Sequence, residues 1–164
     1  MPKANATQAA EIRATLKALA ATPEQIARIA RGHSAAALCR PPAPDAWSAR
    51  DIVAHLRACA EVWGRSIERM IAEQDPTIRY VSPRGWIKKT DYLSLGFAGS
   101  LRAFAGARRG LLDTLVGLDA AGWARRATFT GTTLGREATV LSYAKRIADH
   151  EVQHLGQLRR TLEH

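Results

Sequence analysis

Residues 47–70 constrain the fold more than any other stretch of this chain. Ile52, Leu56, Cys59, Trp63, Ile67 and Met70 recur at steps of three and four, the spacing that gathers side chains on one face of an α-helix. A complete start signal stands ahead of them. Ser48 is placed to cap the first turn, Asp51 is its capping-box partner, and Trp47 and Ile52 flank the cap as a hydrophobic staple. A helix with so sharp a start and one apolar face must bury that face against neighbours of the same kind.

The rest of the chain supplies such neighbours. Thr7 to Ala20 carries Ile12, Leu16 and Leu19 at helical spacing. Thr22-Pro23-Glu24-Gln25 reads as a second helix start, with Thr22 as cap, Pro23 at the first helical position and Gly32 as the stop. Arg40-Pro41-Pro42-Ala43-Pro44 cannot continue a helix and reads as an extended connection. The helix that begins at Ser48 fades near Asp75-Pro76, and Thr77 to Thr90 reads as an irregular connection with an exposed Trp86. Bundle loops usually run to about 2–8 residues, and a longer crossover lets the flanking helices lie parallel. A third helix is predicted from Tyr92 to Leu118, with Phe97, Leu101, Phe104, Leu111 and Leu115 on one side. Ala127 to Gly135 reads as loop or short hairpin. Thr139 then caps a last helix carrying Val140, Tyr143, Ile147, His150, Glu151, His154 and Leu158. No internal repeat appears, and 164 residues suit one domain of ordinary size. The predicted fold is all-α, a four-helix bundle forming a single domain over residues 1–164.

Several classes are argued against. Met1 to Arg13 lacks the apolar core of a signal peptide. The longest stretch without charge or histidine, Tyr92 to Leu101, is ten residues, against about 20 for a membrane span. The expectation is a soluble, cytoplasmic protein with no membrane association. Cys39 and Cys59 do not make a disulfide framework. Leu162-Glu163-His164 resembles the start of a vector-encoded tag, so His164 is given no functional weight. The 24 Lys and Arg against 15 Asp and Glu, a formal charge of +9, raise the question of nucleic acid. These cations are dispersed, however, with no run longer than two. Arg84 to Lys89 is the densest basic stretch, with Trp86 placed to stack a base. Nucleic-acid binding is therefore the weakest functional reading.

Three of the five histidines fall on apolar stripes. His55 follows Ile52 by three and precedes Cys59 by four, while His150 and His154 are four apart behind Ile147. At that spacing two imidazoles share one helix face and can approach one ion from successive turns. His55 on a neighbouring helix can supply a third nitrogen, and three neutral imidazoles with an open position are the ligand set of a catalytic zinc-type centre. The alternative is three core histidines, each needing its own polar partner. Cys59, one turn beyond His55, reads either as a further ligand or as a small core hydrophobe. Asp51, Asp149 and Glu151 are nearby carboxylates able to accept from metal-bound imidazoles. Glu151 is also a candidate catalytic base, whereas Asp51 is accounted for by the cap.

Two segments resemble a known family. Trp47-Ser48-Ala49-Arg50-Asp51-Ile52-Val53-Ala54-His55-Leu56 is similar to the W-S-x-x-(D/E)-I-x-x-H-L signature of the DinB/YfiT-like superfamily. His150-Glu151-Val152-Gln153-His154-Leu155-Gly156-Gln157 is similar to its closing H-x-x-x-H-x-x-Q motif. Their order and separation agree from about Thr7 to Leu158. The resemblance implies an up-down-down-up bundle and a divalent metal, zinc or nickel first, held by His55, His150 and His154. Trp47 and Ser48 would be the structural lead-in to the first motif, with no role assigned to Gln157. It further implies a homodimer and thiol-dependent chemistry: transfer with bacillithiol or mycothiol, or isomerisation of maleylpyruvate.

The leading expectation is therefore a metal-dependent enzyme of the small-thiol transferase, isomerase or hydrolase type. It would act on a small-molecule substrate, with a low-molecular-weight thiol as co-substrate. Arg146, Arg57, Arg84 and Lys88 are candidates for recognising carboxylates on substrate or thiol. The competing expectation is a non-catalytic stress-response binding protein with a structural metal.

Overall fold

The computed structural model describes residues 2–132 and 137–163, with backbone only for residues 2–5. The far end of the expected 127–135 loop and His164 lie outside the described residues. In chain order the elements are α1 (Pro2–Ala30), α2 (Ala35–Cys39), α3 (Ala49–Ala72), β1 (Thr77–Arg79), α4 (Pro83–Ile87), α5 (Phe97–Val116), α6 (Ala120–Ala124), β2 (Arg126–Thr130), β3 (Glu137–Thr139) and α7 (Val140–Leu162). The four long helices, α1, α3, α5 and α7, form the bundle.

Local chemistry sets the ends of α3 and α7. Ser48 Oγ accepts from the Asp51 amide, and the Asp51 carboxylate accepts from the Ser48 amide at 3.0 Å. Thr139 and Ser142 repeat the reciprocal arrangement at the start of α7. Trp47 and Ile52 meet in the same apolar cluster, as a staple requires. Arg125 closes the other end of α3, donating to the carbonyls of Met70 and Glu73 at 2.9 and 2.6 Å. Gly32 stops α1 with a φ of 85°, a conformation that glycine adopts without a Cβ penalty.

A small three-stranded sheet fixes the helix directions. β1 runs parallel to β2, with Ile78 opposite Phe129, and β2 runs antiparallel to β3, with Ala127 opposite Ala138. β1 follows the end of α3, β2 follows α5 through α6, and β3 leads directly into α7. So α3 and α5 end where α7 begins: the first two are parallel and α7 opposes them. α1 runs with α7, since Glu11 pairs with Lys145 near their starts and His33 reaches the Leu162 carbonyl near their ends. The order is up-down-down-up. Around the bundle, α3 lies against α5 and α7, and α1 against the same two.

Two large apolar clusters fill the interior. One, at the sheet end, includes Leu19, Trp63, Ile67, Leu115, Phe129 and Tyr143. The other includes Ile26, Ile52, Leu56, Phe104, Leu155 and Leu158. On α3 and α7 the boundary between them falls at the turns that carry the histidines.

Several local expectations are corrected. Thr22-Pro23 does not start a helix, because α1 passes through Pro23 unbroken. Leu19 and Ile26, both fully buried, hold the two sides of that turn on one packed face, and Thr22 Oγ1 donates to the Ala18 carbonyl. The third long helix begins at Phe97, not Tyr92. Tyr92 lies in the preceding turns, buried, with its hydroxyl donating to Glu61 at 2.6 Å. Trp86 is half-buried on α4, donates to Glu61 at 3.2 Å and lies under Arg65. Its indole is therefore packed into the fold, not the exposed one expected. The expected irregular connection contains β1 and α4, and the expected loop or hairpin is the β2–β3 pair. Among the described residues no helix is long and apolar enough to cross a membrane.

The capping box makes a direct prediction. Ser48→Ala removes the oxygen that accepts from Asp51, and urea unfolding is expected to show a loss of about 0.5–2 kcal/mol. Ser48→Thr, which keeps the hydroxyl that accepts from the Asp51 amide and donates to the Asp51 carboxylate at 2.7 Å, should recover most of it.

Candidate metal centre

α3 and α7 pack side by side in the bundle, and the histidines meet in that seam. His150 Nε2 lies 3.4 Å from His55 Nε2 and 3.1 Å from His154 Nε2. Cys59 Sγ, one turn along α3, lies 3.4 Å from His55 Nε2. Indoles wall the cluster. Trp47 packs on His55 and stacks nearly parallel to His154, while the Trp63 ring centre stands 4.8 Å from that of His150.

The surroundings keep these rings neutral. Burial pushes the His55 imidazolium down to about 3, helped by His154, His150 and Arg84. Burial likewise brings His150 down to about 4, aided by His154, Arg146 and Arg84. His154 is lowered by burial too, against the opposing effect of its bond to Gln157. In that bond His154 Nδ1 donates to Gln157 Oε1 at 2.8 Å. The proton is thereby fixed on Nδ1, and the Nε2 lone pair is aimed at the other histidines. Gln157 had a place in the sequence motif and no role; its role is to orient His154.

The donors suit a cation. A neutral imidazole nitrogen either donates or accepts, so His150 Nε2 cannot satisfy both Nε2 neighbours by hydrogen bonding. Its Nδ1 is buried without a partner among the described residues. Two imidazoles on one tetrahedral ion at about 2.0–2.1 Å stand roughly 3.3 Å apart, close to the 3.1 and 3.4 Å found here. His55, Cys59 and His150 place one donor atom each within 4.8 Å of one another.

A cavity of about 410 Å³ opens onto all three imidazoles; Trp63, Tyr80, Arg84, Arg146, Asp149 and Gln153 are among its other walls. A second cavity, of about 630 Å³, lies on the other side of His154 and Arg84, lined also by Asp45, Trp47, Gln157 and Arg160. Arg84 and Arg146 are thus at the site. Arg57 and Lys88 line neither cavity. Arg57 stacks 3.7 Å over the Tyr92 ring and lies 3.7 Å from Glu61, and Lys88 is exposed at the end of α4. Arg160 joins the second cavity, and sequence spacing gave no sign of it.

Glu151 is not brought to either cavity. It is 1% exposed and ion-paired with Arg108, also 1% exposed, between α5 and α7. Burial raises its carboxyl to about 7, against the opposing pull of Arg108 and of hydrogen bonds from Thr22 and Arg108. A carboxylate closed in this way cannot serve as a base in the histidine cavity. Arg108 stood in the sequence four residues after Phe104 and three before Leu111, a core position that called for a buried anion. Asp51 is the cap, as expected, and Asp149 is exposed at the cavity wall.

An up-down-down-up bundle with histidines converging between its second and fourth long helices defines a histidine-centred helical bundle. The chain belongs to the DinB superfamily, whose family model matches residues 18–158. Among solved structures it is similar to YfiT from Bacillus subtilis, described as a probable metal-dependent hydrolase with an unusual four-helix bundle topology. The TM-score is 0.75 at 18% identity, over 93% of this chain and 87% of that one. That likeness establishes the fold. No curated protein matches the chain.

The titration behaviour sets the sign of a pH effect in metal-free protein. Histidines whose folded values lie near 3 and 4, below the ordinary 6.5, contribute stability above pH 6.5 that is lost as pH falls. Glu151, raised to about 7 from 4.5, acts in the opposite direction, its contribution present below 4.5 and lost through 7. The lowered imidazoles outnumber this carboxylate, so more protons bind the unfolded chain. The urea midpoint should fall from pH 6.5 to 4.5, with a shallower fall in His55→Ala. A midpoint that rises on acidification contradicts this account.

Proposed function

We propose that His55, His150 and His154 hold a divalent metal, zinc or nickel first, and that the chain is a metal-dependent enzyme joining a small thiol to a small anionic electrophile. The observation that carries this reading is the pair of cavities meeting at His154 and Arg84. Two spaces that share His154 and Arg84 as a wall suit two reactants, whereas hydrolysis requires room for one substrate and a water. The metal's chemistry there would be that of a Lewis acid, keeping a thiol as the thiolate nucleophile near neutral pH.

The protein's own residues would do the rest. Arg84 and Arg146 border the histidine cavity and offer guanidinium groups to a carboxylate. Trp47 and Trp63 shield the imidazoles from water, and Gln157 holds His154 in its ligating tautomer. The name of YfiT supports a hydrolase as the second reading, with water in place of the thiol. A homodimer is part of this proposal on family resemblance alone, and a cytoplasmic location on the shortness of the longest uncharged stretch, Tyr92 to Leu101.

Metal analysis of protein purified without chelator is expected to find about one equivalent per chain, and His55→Ala, His150→Ala and His154→Ala should each lose it. Gln157→Leu should keep the fold and weaken metal affinity about 10–100-fold. Metal at a hundred times its Kd should stabilise the wild type by about 2.7 kcal/mol. Wild type that takes up no metal, or a metal-free His55→Ala variant with full activity, would refute the assignment.

A further inference from the structure

Arg57 and Trp86 stand apart from the site, and both lead to one carboxylate. Glu61 is half-buried on α3 and lines neither cavity. The Tyr92 hydroxyl donates to it, 2.6 and 2.7 Å from its two oxygens, and Trp86 Nε1 donates to Oε2 at 3.2 Å. Arg57, one turn earlier on α3, lies against both Glu61 and the Tyr92 ring.

Those two donors belong to the connection that carries Arg84. Trp86 is two residues beyond Arg84 on the short turn of α4, and Tyr92 stands in the turns that follow. Residues two apart on a helix do not share a face. So α4 shows Trp86 to Glu61 while Pro83 and Arg84 border the histidine cavity. Among the described residues, α3 is the element that α4 packs against most. The apolar part of that contact sets Ile87 and Tyr92 on Ala54 and Ala58, side chains too short to interlock with a neighbour. Hydrogen bonds are directional, and the pair to Glu61 holds the connection at two points, one on either side of residues 88–91. At the site itself the Arg84 guanidinium lies 5.2 Å over the Trp47 ring, a contact that leaves its polar edge to the cavities.

We infer that Glu61 is a positioning residue: by holding Trp86 and Tyr92 it fixes α4 on α3 and keeps Arg84 as the wall that the two cavities share. The inference rests on the proposed role of Arg84 in recognising a carboxylate. It makes the choice between an anionic and a neutral reactant depend on a side chain that touches neither cavity.

Cobalt-loaded full chain, titrated with 3-mercaptopropionate and with 2-mercaptoethanol, tests this without a known reaction. Growth of a sulfur-to-cobalt charge-transfer band in the near ultraviolet reports each affinity. Wild type should favour the carboxylate-bearing thiol about tenfold, and Arg84→Ala should cut that preference about threefold or more while leaving the affinity for 2-mercaptoethanol unchanged. Glu61→Ala should reproduce both effects, and the double variant should be no worse than either single one. Glu61→Gln keeps an oxygen to accept from Tyr92 and Trp86 and should retain the preference. Should Glu61→Ala fail to fold, Trp86→Phe combined with Tyr92→Phe removes both donors, keeps both rings and should lower the preference in its place. A preference lost in Arg84→Ala but intact when the Glu61 contacts are removed overturns the positioning role and leaves that of Arg84 standing. Equal weakening of both thiols in Glu61→Ala is general damage to the site and overturns it too. A wild type without the preference, or a preference that survives Arg84→Ala, overturns both roles and leaves the metal centre standing. Failure of the wild type to take up cobalt overturns the metal centre and this inference with it.

Discussion

An imidazole buried as deeply as His55 holds a proton only if an anion lies beside it, and Glu151, the one carboxylate buried near this seam among the described residues, is committed to Arg108. The cluster is therefore a set of neutral nitrogens, and its neighbours are consistent with that. Indoles cover the rings, an amide and not a carboxylate orients His154, and guanidinium groups stand at the rim. An acid in place of Gln157 would favour the imidazolium in metal-free protein, while still accepting the Nδ1 proton of a metal-bound His154. Separating Glu151 from Arg108 would place an unpaired charge in the interior, the most costly kind of core defect.

What could be read from the sequence was what short-range chemistry determines. Ser48 and Asp51 cap the helix that carries His55 because a capping box involves only four residues. The stripe from Ile52 to Met70 buries as its spacing dictates, and three histidines on two such stripes were bound to meet if the helices did. Pro23 misled because its effect depends on packing from elsewhere, at Leu19 and Ile26. β1 has three residues, too few for alternation to register, and its partner β2 lies far along the chain. Tyr92 looked helical because it is apolar and falls near a stripe, yet its burial depends on Glu61 from another helix.

The electrostatics divide in the same way. The charge of +9 was visible at once, but not the distribution that gives it meaning. Arg125 terminates α3, Arg57 stacks on Tyr92, Arg108 neutralises Glu151, and Arg84 and Arg146 stand at the histidine cavity. Cations of identical sequence appearance hold a helix end, a tyrosine, a buried acid and the edge of a cleft.

The helix directions have a consequence for how the chain folds. Consecutive long helices never form an antiparallel hairpin here: α1 and α3 are diagonal, α3 and α5 are parallel, and α5 and α7 are diagonal. Each antiparallel pair, α1 with α5 and α3 with α7, skips a helix. No half of the chain can thus build a self-sufficient helical hairpin, and loop-closure entropy must be met before the core contributes. The histidine seam joins residues 95 positions apart. It belongs among the last contacts to form, and a nascent chain cannot assemble it until α7 has been made.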